Sequence, residues 1–230
     1  MVGGKILKVA PVKECFSVKP KNLQQVMAFD CLLNDQLDLV ALLGPAGTGK
    51  SLTCLAAALN QVLDQRRYKK LLLVKSTAVV GDEIGFLPGD LSQKLGPGFE
   101  SFYDSFDILF NSESSDKTKG IIDMLIKDEK LEMTPYQFFR GRSMQNILMV
   151  IDEAQNIPVE IMKTILTRVA GNSKVVLLGD ITQIDNKKLD ALNNGLTKVV
   201  EVFRGESCFA QVVLDKCECG PLAELASRLL

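Results

Sequence analysis

The sequence predicts a three-layer α/β fold, in which helices cover both faces of a parallel β-sheet. Short, continuous apolar runs alternate along the chain with segments whose apolar residues recur at helical spacing. Such runs are typical of strands that are buried on both faces. With 230 residues, 47% hydrophobic and 24% charged, the chain suits one ordinary globular domain.

The strands and helices are predicted from where these runs begin and end. Residues 38–43 (DLVALL) have the length of a strand, and residues 49–63 follow with helical spacing. The further predicted strands are residues 71–74, 147–151, 174–178 and 209–214. The further predicted helices are residues 158–169, 189–203 and 221–230. Alternating strands and helices favour parallel pairing of the strands.

One segment, at about residues 81–143, interrupts this alternation and is predicted to be an insertion within a single domain that spans residues 1–230. It holds a Gly/Pro-rich stretch, an aromatic cluster and a polar stretch at residues 111–120 (NSESSDKTKG). An irregular loop of this length is rare in a compact domain, so we expect a subdomain or lid. The polar stretch is expected to be disordered.

The composition excludes several kinds of chemistry. The chain has no histidine, which excludes His-dependent catalytic triads, proton relays and metal sites. Its six cysteines lack the paired spacing of a zinc site, and its formal charge of −1 provides no overall attraction to nucleic acid. No apolar run is long enough to span a bilayer, and the first residues are too charged for a secretory signal. We therefore expect a cytoplasmic protein without a membrane partner.

A phosphate-binding loop is predicted at residues 44–51 (GPAGTGKS), which match G-x-x-x-x-G-K-[ST] in full between a predicted strand and a predicted helix. Glycines let backbone N–H groups surround phosphates, and the helix directs its positive end at them. We expect Lys50 to reach the β- and γ-phosphates of ATP and the Ser51 hydroxyl to bind Mg²⁺. The residues predicted to contact ATP are Gly44, Pro45, Ala46, Gly47, Thr48, Gly49, Lys50, Ser51 and Leu52. The alternative is a glycine-rich turn whose lysine and serine only cap a helix.

Two adjacent carboxylates, Asp152 and Glu153, follow the predicted strand 147–151. We expect Asp152 to hold hydrated Mg²⁺ and Glu153 to orient or deprotonate the attacking water. A solvated turn is the alternative. An adjacent glutamate is typical of phosphate-loop ATPases in which an additional strand separates the strand of the loop from the acidic strand. Residues 71–74 or residues 174–178 could be that strand.

Polar residues also follow the predicted strand 174–178, in GDITQ at residues 179–183. In the ATPase class with an additional strand, a polar residue at such a position contacts the γ-phosphate or the water. Asp180, Thr182 and Gln183 are the candidates, and Gln183 is the predicted sensor. A plain turn is the alternative.

In these motifs the sequence resembles the PhoH family, ATPases of bacteria and their phages. The resembling segments are GPAGTGKS at 44–51, GFLPGDLSQK at 85–94, FFRGRSMQN at 138–146, IDEAQN at 151–156, LTRV at 166–169 and GDITQID at 179–185. The resemblance implies a P-loop NTPase with a RecA-like core, similar to superfamily 1 helicases, that couples Mg²⁺-dependent ATP hydrolysis to RNA, with or without unwinding. It also implies that Gln25, in NLQQ at 22–25, reads adenine with its amide. An ordinary helix-surface glutamine is the alternative.

Two arginine positions of the family's pattern differ in this chain, and Ser76 stands where relatives have proline. Lys75 and Cys219 stand where relatives have arginine. If the second arginine acts on the γ-phosphate, this chain lacks a charge worth about 10³–10⁵ in rate. The substitutes that the sequence offers, from the same or a neighbouring subunit, are Arg140, Arg142, Arg168 and Lys216. An ATP-binding switch or adaptor with weak or no hydrolysis is therefore the alternative function.

Single-stranded RNA is the partner that the resemblance implies. Aromatic stacking in a basic groove suits a strand that is bound without sequence preference. The candidate contacts are Lys75, Ser76, Phe99, Phe102, Tyr103, Arg140 and Arg142. Ordinary core positions are the alternative for the aromatic residues. A single core provides one wall of a two-walled nucleotide cleft, so we also expect a homo-oligomer, such as a hexameric ring, in which a neighbour completes the site.

Overall fold

The structure is a computed structural model and describes residues 12–76, 99–112, 114–138, 144–218 and 220. Its strands are β1 (Leu39–Leu43), β2 (Lys70–Lys75), β3 (Leu131–Pro135), β4 (Ile147–Asp152), β5 (Lys174–Gly179) and β6 (Phe209–Val213). They form a six-stranded sheet in the order β3-β2-β4-β5-β1-β6, and the pairings between them are parallel.

The centre of the sheet consists of strands that are buried along their whole length. This holds for β1, β4 and β5, which explains why continuous apolar runs predict them. β5 lies between β1 and β4, whereas β2 lies beyond β4. Of the two segments that the sequence left open, residues 174–178 therefore form the additional strand.

Helices cover both faces of this sheet. They are α1 (Leu23–Leu33), α2 (Lys50–Leu59), α3 (Glu100–Leu109), α4 (Ser115–Lys127), α5 (Val159–Leu166) and α6 (Gly195–Val202). Helices α1 to α4 pack in one apolar cluster and α5 and α6 in another. Alternate residues of β1 enter the two clusters: Val40 and Leu42 the first, Leu39 and Ala41 the second. The three-layer α/β fold is thus confirmed.

The segment predicted as an insertion contributes to the sheet itself. Its described part contains α3, α4 and β3, and β3 pairs with β2 along its length. The expectation of disorder at residues 111–120 is wrong for the second half, because α4 begins at Ser115. This helix is amphipathic and buries Thr118 and Ile122, so a polar sequence still gains enough burial to order it.

The helix predicted at residues 189–203 begins later, at Gly195. The Asn194 side chain caps it by accepting a hydrogen bond of 2.9 Å from the N–H of Thr197. Before the cap, Asp190 binds backbone N–H groups of the following turn, which the helical pattern did not reveal. The helix predicted at residues 221–230 lies outside the described residues. Within the described ranges, every helix is too short or too polar to traverse a lipid bilayer.

A buried lysine joins α1 to the sheet. Lys174, the first residue of β5, is 1% exposed and donates to the carbonyls of Leu32 (2.7 Å) and Asn34 (2.8 Å). Carbonyls at the end of a helix lack partners within the helix, and Lys174 supplies them. Burial lowers the pKa of Lys174 to about 8. This contact lies at the amino ends of the strands, whereas the phosphate loop lies at their carboxyl ends.

Candidate nucleotide site

The phosphate loop runs from the carboxyl end of β1 to the first turn of α2, where the sequence predicts it. The N–H of Gly44 donates to the carbonyl of Gly179 at 3.1 Å, which joins the loop to β5. Gly44 and Gly49 have φ angles of 145° and 84°. A Cβ at Gly44 would also lie 1.9 Å from the carbonyl oxygen of Leu214. Only glycine fits this turn.

Lys50 begins α2 and turns its ammonium back toward the loop. It donates to the carbonyl oxygens of Gly44 and Pro45, at 2.7 Å for Pro45. Burial lowers the pKa of Lys50, and the charge of Asp180 opposes this shift. A partly buried cation whose partners are neutral carbonyls is stabilised further by an anion. Lys50 is therefore suited to hold a phosphate.

Two loop carbonyls are held from outside the loop. The N–H of Glu218 donates to the Gly47 carbonyl at 2.9 Å, and Gln25 Nε2 donates to the Thr48 carbonyl at 3.1 Å. In a trans peptide the N–H points away from the C=O. The N–H groups that follow these carbonyls therefore point inward, as in an anion-binding nest.

Gln25 is buried beside the loop rather than exposed on a helix surface. Asn22 caps α1 and accepts a hydrogen bond of 2.9 Å from the N–H of Gln25. The Gln25 amide donates to Thr48 and accepts from the N–H of Lys21 at 2.8 Å. The structure thus gives Gln25 a role in supporting the loop. Its reading of adenine stays a prediction.

The acidic pair lies at the carboxyl end of β4. Asp152 is the last residue of the strand, and Glu153 follows in a left-handed conformation with φ of 52°. Burial raises the pKa of Asp152. Burial and the neighbouring charge of Asp152 raise the pKa of Glu153. Since a general base works best with a pKa near the working pH, this environment suits Glu153 to accept a proton from water.

Gln155 is the site residue that the sequence analysis missed. Its side chain is fully buried and donates to Glu153 Oε2 at 2.6 Å and to the Gln183 carbonyl at 2.8 Å. It also accepts from the N–H of Asp180 at 3.2 Å. Gln155 therefore ties the acidic pair to the loop after β5. The signal in the sequence that could have identified Gln155 is a polar amide among the apolar residues that follow the acidic pair.

The next residue extends this connection. Asn156 Oδ1 accepts from the N–H groups of Asp185 at 2.8 Å and Asn186 at 3.2 Å. Asn156 is 2% exposed, so the acceptor side of these hydrogen bonds is shielded from water. Two consecutive amide side chains thus fix the loop of residues 180–186 against the end of β4.

Asp180, rather than Gln183, is buried at the site. Its Oδ1 accepts from the Thr182 N–H at 2.9 Å and hydroxyl at 2.7 Å. Its Oδ2 is buried without a hydrogen-bond partner among the described residues. The Gln183 side chain is exposed, and only its carbonyl contacts Gln155. The sensing role of Gln183 stays a prediction, and Asp180 is a second candidate.

The residues of the site fit Mg²⁺ that is bound together with phosphates. Among the residues that the structure describes, no cluster of three or more acidic or cysteine side chains could hold a metal ion. Ser51, in the first turn of α2, and Asp152 are the candidate ligands. Mg²⁺ usually takes one or two carboxylates and completes its shell with phosphates and water. The unbonded Asp180 oxygen could accept a hydrogen bond from such a water.

Of the residues predicted to contact RNA, those that the structure describes do not form one exposed surface. Phe99 and Phe102 are 1% and 0% exposed and pack in the core, so the prediction that they stack on bases is wrong. Ser76 is also buried. The remaining arginine candidates, Arg140 and Arg142, lie outside the described residues, as does Cys219.

The strand order, the loop and the acidic pair together define a class of protein. The phosphate loop follows β1, the acidic pair follows β4, and β5 lies between these strands. This is the arrangement of the P-loop NTPases with an additional strand, whose adjacent glutamate is placed to act on water.

Within this class, the chain belongs to the PhoH-like protein family, whose pattern matches residues 17–219. Protein PhoH2 of Bacillus subtilis (strain 168) is 42% identical over 230 residues, which cover 99% of this chain and 51% of that protein. Protein PhoH2 of Thermobispora bispora is 33% identical over 95% of this chain and 48% of that protein. The PhoH-like protein of B. subtilis is 34% identical over 79% of this chain and 54% of that protein. The chain spans about half the length of these relatives.

Two solved structures are less similar to this chain in sequence than these relatives are. The Sulfolobus solfataricus SWI2/SNF2 ATPase core in complex with dsDNA has a TM-score of 0.48 and 15% identity, over 91% of this chain and 47% of that chain. Pif1 helicase from Candida albicans has a TM-score of 0.43 and 14% identity, over 86% of this chain and 40% of that chain. The assignment of the fold depends on the strand order and the loop.

Proposed function

We propose that the protein is a Mg²⁺-dependent ATP hydrolase. The observation that carries the proposal is the hydrogen bonding of Gln155, which joins Glu153 to Asp180. The charges of Asp180, Asp152 and Glu153 all act on Lys50, so these carboxylates lie near the phosphate loop. A site that only stored nucleotide has no need for a partly buried carboxylate that a neighbouring amide holds in one orientation.

Each side chain then has a definite task. Lys50 and the loop N–H groups bind the β- and γ-phosphates, and Ser51 and Asp152 hold Mg²⁺. The metal, when bound, neutralises phosphate charge. Glu153 accepts a proton from the water, and Gln155 keeps the Glu153 carboxylate in place. Glu153 adopts the αL conformation directly after the last residue of β4.

Coupling to single-stranded RNA and assembly into a ring are further parts of the proposal, supported by membership of the family and by charge. Three carboxylates act on Lys50, so the described site has few positive charges left to neutralise the negative charges of ATP. A cation from a neighbouring subunit corrects this imbalance, as arginine fingers do in other NTPases. Light scattering should then show an oligomer, and a strict monomer with full RNA-stimulated turnover contradicts the ring.

The proposed function is tested by phosphate release from ATP, with and without Mg²⁺ and single-stranded RNA. We expect Mg²⁺-dependent release that RNA increases and that Lys50→Ala abolishes. Lys198→Ala is the matched control, because Lys198 lies on α6 and pairs with Glu201 at the surface. Nucleotide binding without release by the wild-type protein favours the alternative, an ATP-binding switch.

A further inference from the structure

Among the residues that the structure describes, Lys75 is the positive group nearest to the carboxylate that is expected to hold the metal. It ends β2 directly opposite Asp152 on β4, and its Nζ lies 3.7 Å from Asp152 Oδ2. The Lys75 side chain is 18% exposed and that of Asp152 is 9% exposed, so water screens this pair only partly. Lys75 also acts electrostatically on Glu153.

A second set of contacts anchors the same ammonium on α3. Lys75 Nζ donates to Ser101 Oγ at 2.9 Å and lies 5.9 Å from the centre of the Phe102 ring. A hydroxyl acceptor and an aromatic face are both favourable neighbours for a cation. These contacts hold Lys75 beside Asp152 and leave it with partners when the Asp152 carboxylate binds another cation.

We propose that Lys75 is the resident counter-ion of Asp152, which weakens the binding of free divalent metal and favours its binding together with the phosphates of a nucleotide. This inference rests on the proposed function. A divalent ion bound to Asp152 stands close to the Lys75 ammonium and is repelled by it. The repulsion is worth roughly tenfold in affinity even at the dielectric constant of water. Phosphates bring negative charge that offsets it, so metal and nucleotide bind cooperatively.

The test is the affinity for Mn²⁺, measured by the electron paramagnetic resonance of free Mn²⁺, with and without ADP. In the wild type we expect weak binding without nucleotide and a large gain with ADP. Lys75→Met should raise the affinity without nucleotide by about tenfold and reduce the gain from ADP accordingly. Lys75→Arg keeps the charge and should behave as the wild type.

Three further variants complete the experiment. Lys70→Met removes a lysine at the other end of β2, which pairs with Glu132, and should leave Mn²⁺ binding unchanged. Asp152→Asn should abolish binding, which locates the metal. Lys75→Gln, checked by thermal melting, replaces Lys75→Met if that variant does not fold.

The counter-ion role alone is overturned if Lys75→Met and Lys75→Gln both bind Mn²⁺ with the wild-type affinity while the wild type still binds Mn²⁺ in the presence of ADP. Absence of Mn²⁺ binding in the wild type with ADP overturns the metal site of the proposed function and the inference with it.

Discussion

Replacing Gln155 by leucine removes the amide that links the acidic pair to the loop after β5, at nearly constant side-chain volume. The change breaks the hydrogen bonds to Glu153 and Gln183 and the bond from Asp180. Since Gln155 is fully buried, water does not replace these bonds without rearrangement.

The cost follows from the kinds of hydrogen bond that are lost. The bond to the Glu153 carboxylate is charge-assisted and worth about 1.5–3 kcal/mol, and each of the others is worth about 0.5–1.5 kcal/mol. Leucine offsets part of this cost, because it no longer buries a polar amide. We therefore expect a loss of about 3 kcal/mol in the free energy of unfolding. Loss of the orientation of Glu153 should lower kcat by roughly tenfold to a hundredfold.

Urea unfolding measures the first effect and phosphate release the second. Gln183→Ala is the control for stability, because it removes an exposed side chain and keeps the carbonyl that accepts from Gln155. It should change the free energy of unfolding by less than about 0.5 kcal/mol. If Gln155→Leu is as stable and as active as the wild type, the reasoning about this network is refuted.

Three other predictions concern the loop, the buried lysine and the acidic pair. Gly44→Ala should destabilise the fold by about 3 kcal/mol in urea, because its Cβ overlaps the Leu214 carbonyl, whereas Gly171→Ala, which meets open space, should be neutral. The pKa of Lys174 falls from 10.5 to about 8 on folding, so the unfolded chain binds more protons than the folded chain between these pH values. The free energy of unfolding should therefore rise with pH in this range. Lys174→Met should remove this rise, as measured by urea unfolding. Because the pKa of Glu153 is raised, the rate of phosphate release should rise at a higher pH than it would for a carboxyl with an ordinary pKa. A rate that does not rise with pH contradicts the role of Glu153 as the base.

The central strands were predictable because their physics is local. β1, β4 and β5 are buried on both faces, and a strand in that position must be apolar at every residue. The phosphate loop and the acidic pair were predictable for the same reason, since each follows such a strand directly. The edge strand β3 has the sequence LEMTP and is half-buried, so it shows no comparable pattern.

The support of the site depends on contacts between distant parts of the chain. The Asn22 amide donates to Glu218 at 2.7 Å, and Glu218 donates its N–H to the phosphate loop. No local pattern in the sequence predicts that residues after β6 lie against this loop. Gln155 was equally hidden, because an amide becomes a site residue only through the loop that tertiary packing brings to it.

The central claim is that Lys50 serves binding whereas Glu153 serves hydrolysis, and Glu153→Gln tests it most directly. The amide keeps the size of the side chain and removes the base. Measured with Mg²⁺ and fluorescent ATP, the variant should bind nucleotide within about threefold of the wild-type affinity and release phosphate at least about a hundredfold more slowly. Phosphate release at the wild-type rate by Glu153→Gln contradicts the account.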